Sequence, residues 1–153
     1  EVERMSDVDG KPIVDKNQLF AISYSGQLLG IDLASRQVMF VNELASLKAL
    51  AVNPQQVIAT SLDGKVVAYD RNSGETLWES EALAYRDLTN PVMIGNYIAV
   101  GDFDGVVHLF DPATGNIVSR VQTKGTLTNL QVQGNRLMTQ STSGQVAIWQ
   151  LTR

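Results

Sequence analysis

Short apolar runs broken by polar, glycine-bearing turns recur through the chain, and four of them superimpose without a gap. They read LFAISYSGQLLGID (19–32), VIATSLDGKVVAYD (57–70), IAVGDFDGVVHLFD (98–111) and LMTQSTSGQVAIWQ (137–150). Their turn glycines, Gly26, Gly64, Gly105 and Gly144, lie 38, 41 and 39 residues apart. A glycine at such a turn supplies the positive φ that a tight hairpin needs. A period near 40 built from short strands predicts an all-β fold, a β-propeller with one four-stranded blade per repeat. The third copy lays out the blade: strands at Pro91–Ile94, Tyr97–Gly101 and Val106–Phe110, with a fourth starting at Asn116. Val57-Ile58-Ala59 and Ile98-Ala99-Val100 do not alternate with polar residues. Such runs fit sheets covered on both faces, as stacked blades are.

The copies divide the chain into a joint at 1–11, blades at 12–49, 50–90 and 91–129, and a last blade at 130–153 that lacks its outer strand. About four blades are therefore expected, read as half of an eight-bladed ring cut from a longer chain. A closed four-blade ring, with residues 1–11 supplying the missing strand, is the alternative. Glu1 in place of an initiator Met is expected of a processed or truncated product. The segments joining the blades, Phe40–Leu50, Trp78–Pro91 and Ser119–Leu130, vary in length and sequence. In repeat proteins such variable joints gather on one face, often the binding face.

Composition narrows the function classes. The chain has 153 residues, 44% hydrophobic and 18% charged, with a net charge of −4. That balance suits a folded domain and disfavours a nucleic-acid partner. No apolar run is long enough to span a membrane as a helix. Without cysteine there is no disulfide, thiolate metal site or thiol nucleophile. His108 is the only histidine and lies in a strand, aligned with Leu29, Val67 and Ala147, which favours a structural role. No catalytic, metal or cofactor site is predicted. Asp63 and Asp104 precede turn glycines, where turn chemistry accounts for them. Trp78 and Trp149 read as packing residues.

Ala68 to Trp78 reads A-x-D-x-x-S-G-x-x-x-W. It resembles the tryptophan docking motif of PQQ-like propeller repeats, A-x-D-x-x-T-G-x-x-x-W, which implies four-stranded PQQ-like blades. The third copy keeps Asp111, Thr114 and Gly115 but has Ser119 for Trp. The first keeps Asp32, with Arg36 for Gly and Phe40 for Trp. Three further stretches narrow the resemblance. They are Glu3-Arg4-Met5-Ser6-Asp7-Val8-Asp9 followed by Pro12, Leu19 to Leu28, and Arg86-Asp87-Leu88-Thr89-Asn90-Pro91-Val92. Together they resemble the C-terminal half of the BamB family, lipoprotein subunits of the outer-membrane β-barrel assembly machinery.

The resemblance implies a non-enzymatic scaffold at the periplasmic face of the bacterial outer membrane. It would bind the POTRA domains of BamA, aid β-barrel folding and possess no cofactor; unfolded outer-membrane proteins are candidate clients. The family's lipid anchor lies upstream of this chain. Asp7 and Asp9 map onto acids that contribute to BamA binding, with Arg4 beside them. A solvated turn in which both carboxylates cap backbone N–H groups is the competing reading. Arg86, with Tyr85 and Leu83, is a further partner-binding candidate because Arg and Tyr anchor interfaces. Its alternative is an internal ion pair, with Leu83 and Leu88 packed on the blade. Two other functions compete: a fragment of a PQQ-dependent dehydrogenase, and a generic propeller interaction module.

Overall fold

The computed structural model describes residues 12–23, 25–43 and 47–151. These residues form fifteen strands in four antiparallel sheets. The first sheet holds β1 (Ile13–Asp15), β2 (Gln18–Ile22), β3 (Gln27–Asp32) and β4 (Gln37–Glu43) in chain order. The second holds β5 (Leu47–Val52), β6 (Gln56–Ser61), β7 (Val66–Asp70) and β8 (Thr76–Ser80). The third holds β9 (Val92–Ile94), β10 (Tyr97–Gly101), β11 (Val106–Phe110) and β12 (Ile117–Gln122). The fourth has three strands: β13 (Leu127–Gln133), β14 (Arg136–Ser141) and β15 (Val146–Gln150). The inner strands meet in order, β1 and β2 against β5, β5 against β9, and β9 and β10 against β13. This is the blade succession of a partial β-propeller.

Alternation along each strand sends successive residues to opposite neighbours. Phe20, Ile22, Leu28 and Phe40 of the first blade pack on Val57, Ala59, Val67 and Tyr69 of the second. The other face of the second, Ile58, Val66 and Ala68, packs on Ile98, Val100 and Phe110 of the third. Ala99 and Val107 in turn meet Leu127, Leu130 and Leu137 of the fourth. The absence of polar alternation in 57–59 and 98–100 thus has a direct cause: both faces of these strands are interfaces.

The same irregularity recurs in the outer pairing of all three four-stranded sheets. The register shifts between Gly30 and Ile31, between Ala68 and Tyr69, and between Leu109 and Phe110. Each bulge falls beside the residue at the tryptophan position, and in the first two sheets that residue, Phe40 or Trp78, reaches the next blade. Trp78 lies nearly parallel to Phe110, 8° apart with ring centroids 6.3 Å away, and its indole N–H donates to the Pro112 carbonyl at 2.7 Å. A Cβ added to Gly115 would stand 2.5 Å from the Trp78 ring. Phe40 lies against Gly74 of the second blade in the same way, 2.4 Å from that virtual Cβ. The docking interaction is therefore made between blades; Phe40 keeps the contact with the next blade's glycine but lacks the indole hydrogen bond and pairs instead with Phe20 of its own blade. Arg36, at the glycine position of the first copy, takes the left-handed backbone itself, at φ 59°.

Gly115→Ala is expected to lose about 1–3 kcal/mol, combining left-handed strain at φ 76° with displacement of Trp78. Gly134→Ala, at φ 61° with nothing within 4 Å, isolates the backbone part. Urea unfolding followed by tryptophan fluorescence compares the two; equal losses would refute the docking contribution.

Candidate functional site

Arg4, Asp7 and Asp9 lie outside the described residues. The described candidates occupy one face, where the hairpin turns inside each blade meet the joints between blades. A backbone ladder ties this face together. The Tyr85 N–H donates to Asp63 C=O at 2.9 Å in the turn of the second blade, and the Phe103 N–H donates to Arg86 C=O at 3.0 Å from the turn of the third. The next joint repeats the pattern, with Thr123 N–H on Gly105 C=O at 2.7 Å and Thr142 N–H on Thr126 C=O at 2.9 Å. Leu83 and Leu88, 2% and 1% exposed, anchor the 81–90 joint in the core between blades two and three.

The turns are capped by one repeated position. The hydroxyls of Ser23, Ser61 and Ser141 accept from the N–H four residues on, at 3.1, 2.9 and 3.2 Å. In the third copy Asp102 takes this place, and its Oδ1 accepts from the N–H groups of Val106 and Asp104 at 3.0 and 2.9 Å. A carboxylate has a second oxygen that a hydroxyl lacks. Asp102 Oδ2 accepts from Arg86 Nε and from His108 Nε2, both at 2.8 Å. Arg86 Nη2 reaches Asp104 Oδ2 at 2.7 Å, and its guanidinium lies 5.5 Å from the Phe103 ring centre. Arg120 Nε donates to His108 Nδ1 at 3.2 Å. A guanidinium only donates, so Nδ1 accepts and the imidazole proton sits on Nε2, facing Asp102. His108 is accordingly neutral, and the chain Arg120–His108–Asp102–Arg86–Asp104 links blade to joint.

Burial of Asp102 would raise its pKa, but hydrogen bonds from His108 and Arg86 and the Val106 N–H outweigh burial and hold the carboxyl below its ordinary value. Burial depresses His108, and Arg120 and Arg86 add to this; the opposing pull of Asp102 does not compensate. The unfolded chain takes up a proton here as pH falls below about 6.5, whereas the native chain resists to lower pH. Stability from His108 is thus complete above the unfolded value and lost as pH falls through the depressed native one. Tm is expected to drop between pH 7.5 and 5.5, and to drop less in His108→Gln. Parallel slopes would contradict the assignment.

The sequence reading placed Arg86 both as a partner anchor and as an internal ion pair; in the fold its guanidinium bridges Asp102 and Asp104. Asp104 is therefore more than a turn former. Residues missed from sequence include Asp102, whose signal was the exchange of Ser for Asp at a turn cap. Arg71 was also missed. It is 3% exposed and clasps the first two blades through Asp15 Oδ2 at 2.7 Å, Gln18 Oε1 at 2.6 Å and Asn53 C=O at 2.9 Å. Among the described residues no group of three or more His, Asp or Glu side chains is placed to hold a metal ion.

Comparison with known proteins agrees with this architecture. A solved structure, europium-containing methanol dehydrogenase, overlaps 76% of this chain and 25% of its own with a TM-score of 0.64 at 20% identity, a likeness of fold alone. The crystal structure of BamB from Moraxella catarrhalis overlaps 94% of this chain with a TM-score of 0.89 at 54% identity, covering 43% of that chain. The outer membrane protein assembly factor BamB of Shewanella oneidensis is 31% identical over 150 residues, 97% of this chain. This chain spans 38% of the length of that relative. A family model described as outer membrane protein assembly factor BamB matches residues 1–80. With the blade pattern, the docking geometry and this match over more than half of its length, the chain belongs to the BamB family.

Proposed function

We propose that this chain contributes a non-catalytic scaffold to outer-membrane protein assembly at the periplasmic face of the outer membrane. It docks the POTRA domains of BamA and aids β-barrel folding. The observation that carries this reading is the family match over residues 1–80, a span that contains the Asp7–Asp9 joint. In this reading Asp7 and Asp9, with Arg4 beside them, meet cationic groups of BamA. Paired charges across an interface set register and association rate. Arg86 supports the interface by holding the 81–90 joint against the third blade, since its donors are engaged by Asp102 and Asp104.

The test is a calorimetric titration with the BamA POTRA region, beside an Asp7→Arg/Asp9→Arg variant of equal fold by circular dichroism. Saturable binding that weakens by about tenfold or more in the variant is expected. Equal affinity would keep the partner and refute the site. Binding absent from this chain and from the full-length parent would overturn the reading.

A further inference from the structure

We propose that Leu62, Tyr85 and Phe103 form a separate docking surface, fitted to a protein segment that presents an aliphatic side chain beside a lysine or arginine. The three residues are brought together by the backbone ladder. Tyr85 N–H bonds to the residue after Leu62, and Phe103 N–H bonds to the residue after Tyr85. Their exposures are 65%, 85% and 41%. Turns on a soluble surface favour small polar residues, so three large apolar side chains on adjoining turns and joint ask for a reason.

Folding does not supply one for Tyr85. Its φ is 60°, and two residues on Asp87 stands at 49°. Glycine or asparagine suits this backbone better than an aromatic residue. The side chain is almost fully in solvent, so packing does not repay that strain. Meanwhile the joint is pinned by buried Leu83 and Leu88 on either side. A rigidly held, exposed tyrosine loses little entropy on binding, which is what an interface anchor requires.

The rim selects the partner. Asp63, Glu79, Glu81, Asp87 and Asp104 lie on the turns, strand and joint around the patch, five carboxylates against four cations: Lys48, Lys65, Arg86 and, in the joint bonded to the Phe103 turn, Lys124. Three of the cations are engaged by these carboxylates: Lys48 with Asp87 at 3.4 Å, Lys65 with Glu79 and Glu81 at 3.2 and 3.4 Å, Arg86 with Asp104 at 2.7 Å. The remaining negative field complements a basic group next to the apolar contact. This surface shares the 81–90 joint with the proposed BamA interface but uses none of Arg4, Asp7 or Asp9, so the peptide test and the BamA titration read different side chains.

The probe is a fluorescein-labelled peptide with a Leu-Lys-Pro-Leu-Lys core, compared with a Leu-Glu-Pro-Leu-Glu control by fluorescence anisotropy. Saturable binding of the lysine peptide alone is expected. Tyr85→Gly, which removes the aromatic group and relieves the backbone, should lose about tenfold or more in affinity while Tm stays level or rises. Phe103→Ser should weaken binding in the same direction, and Asp7→Arg/Asp9→Arg should leave it unchanged. No saturable binding, equal binding of the glutamate peptide, or undiminished affinity in Tyr85→Gly would each overturn the proposal.

Discussion

Replacing Asp102 with alanine is expected to cost about 2–4 kcal/mol, because several buried donors lose their acceptor at about 1–3 kcal/mol each. The carboxylate is fully buried and satisfies four donors at once: two backbone N–H groups, Arg86 and His108. Alanine leaves those backbone groups and the imidazole without an acceptor in a site closed to water. The repeat itself supplies the control. Asp102→Ser restores the turn cap used by Ser23, Ser61 and Ser141 but still strands His108. Adding His108→Val reproduces the Ser61 and Val67 arrangement of the second copy, and this pair should recover most of the loss. Urea unfolding of the three variants decides it. A loss under about 1 kcal/mol in Asp102→Ala, or no recovery in the pair, would show that the network contributes little.

Phe110→Ala should be comparably severe, about 3–5 kcal/mol, because a fully buried ring is removed from a densely filled interface. Phe110 stacks on Trp78 and shares one cluster with Ile58, Val66 and Ala68 of the preceding blade. Leu83 and Leu88 of the joint belong to that cluster as well. The cavity would therefore act beyond the blade contact. Amide exchange at residues 83–88 should quicken along with the fall in global stability. Val14→Ala, at a position 59% exposed, should change stability by no more than about 0.5 kcal/mol. Unchanged protection across the joint would separate the joint from the interblade core.

How much was legible beforehand follows from the range of the interactions involved. Tyr97–Gly101 and Val106–Phe110 were readable as strands because the hairpin turn between them is specified within a few residues. The Asp70 turn was readable for the same reason: its Oδ1 accepts from the N–H groups of Asn72 and Ser73 at 2.8 and 3.0 Å. Trp78 was recognisable as a docking residue, yet its contacts, Gly115 and the Pro112 carbonyl, lie in the next copy. The row of residues two before each turn glycine, Tyr24, Leu62, Phe103 and Thr142, was visible in the alignment. It carried no meaning until the joint was seen to pass between the turns.

By itself, then, the sequence determined the repeat, the hairpin turns, the two-sided burial of the strands and the family resemblance. All of these depend on patterns within one copy or on the spacing of copies. The tertiary structure alone decided that Asp102 joins Arg86 to His108, that Arg71 clasps two blades, and that Tyr85 stands outward between Leu62 and Phe103. Each of those depends on side chains brought together by the stacking of neighbouring blades. Periodicity reports which face of a strand is buried, but not which residue of the next blade or joint will meet it there.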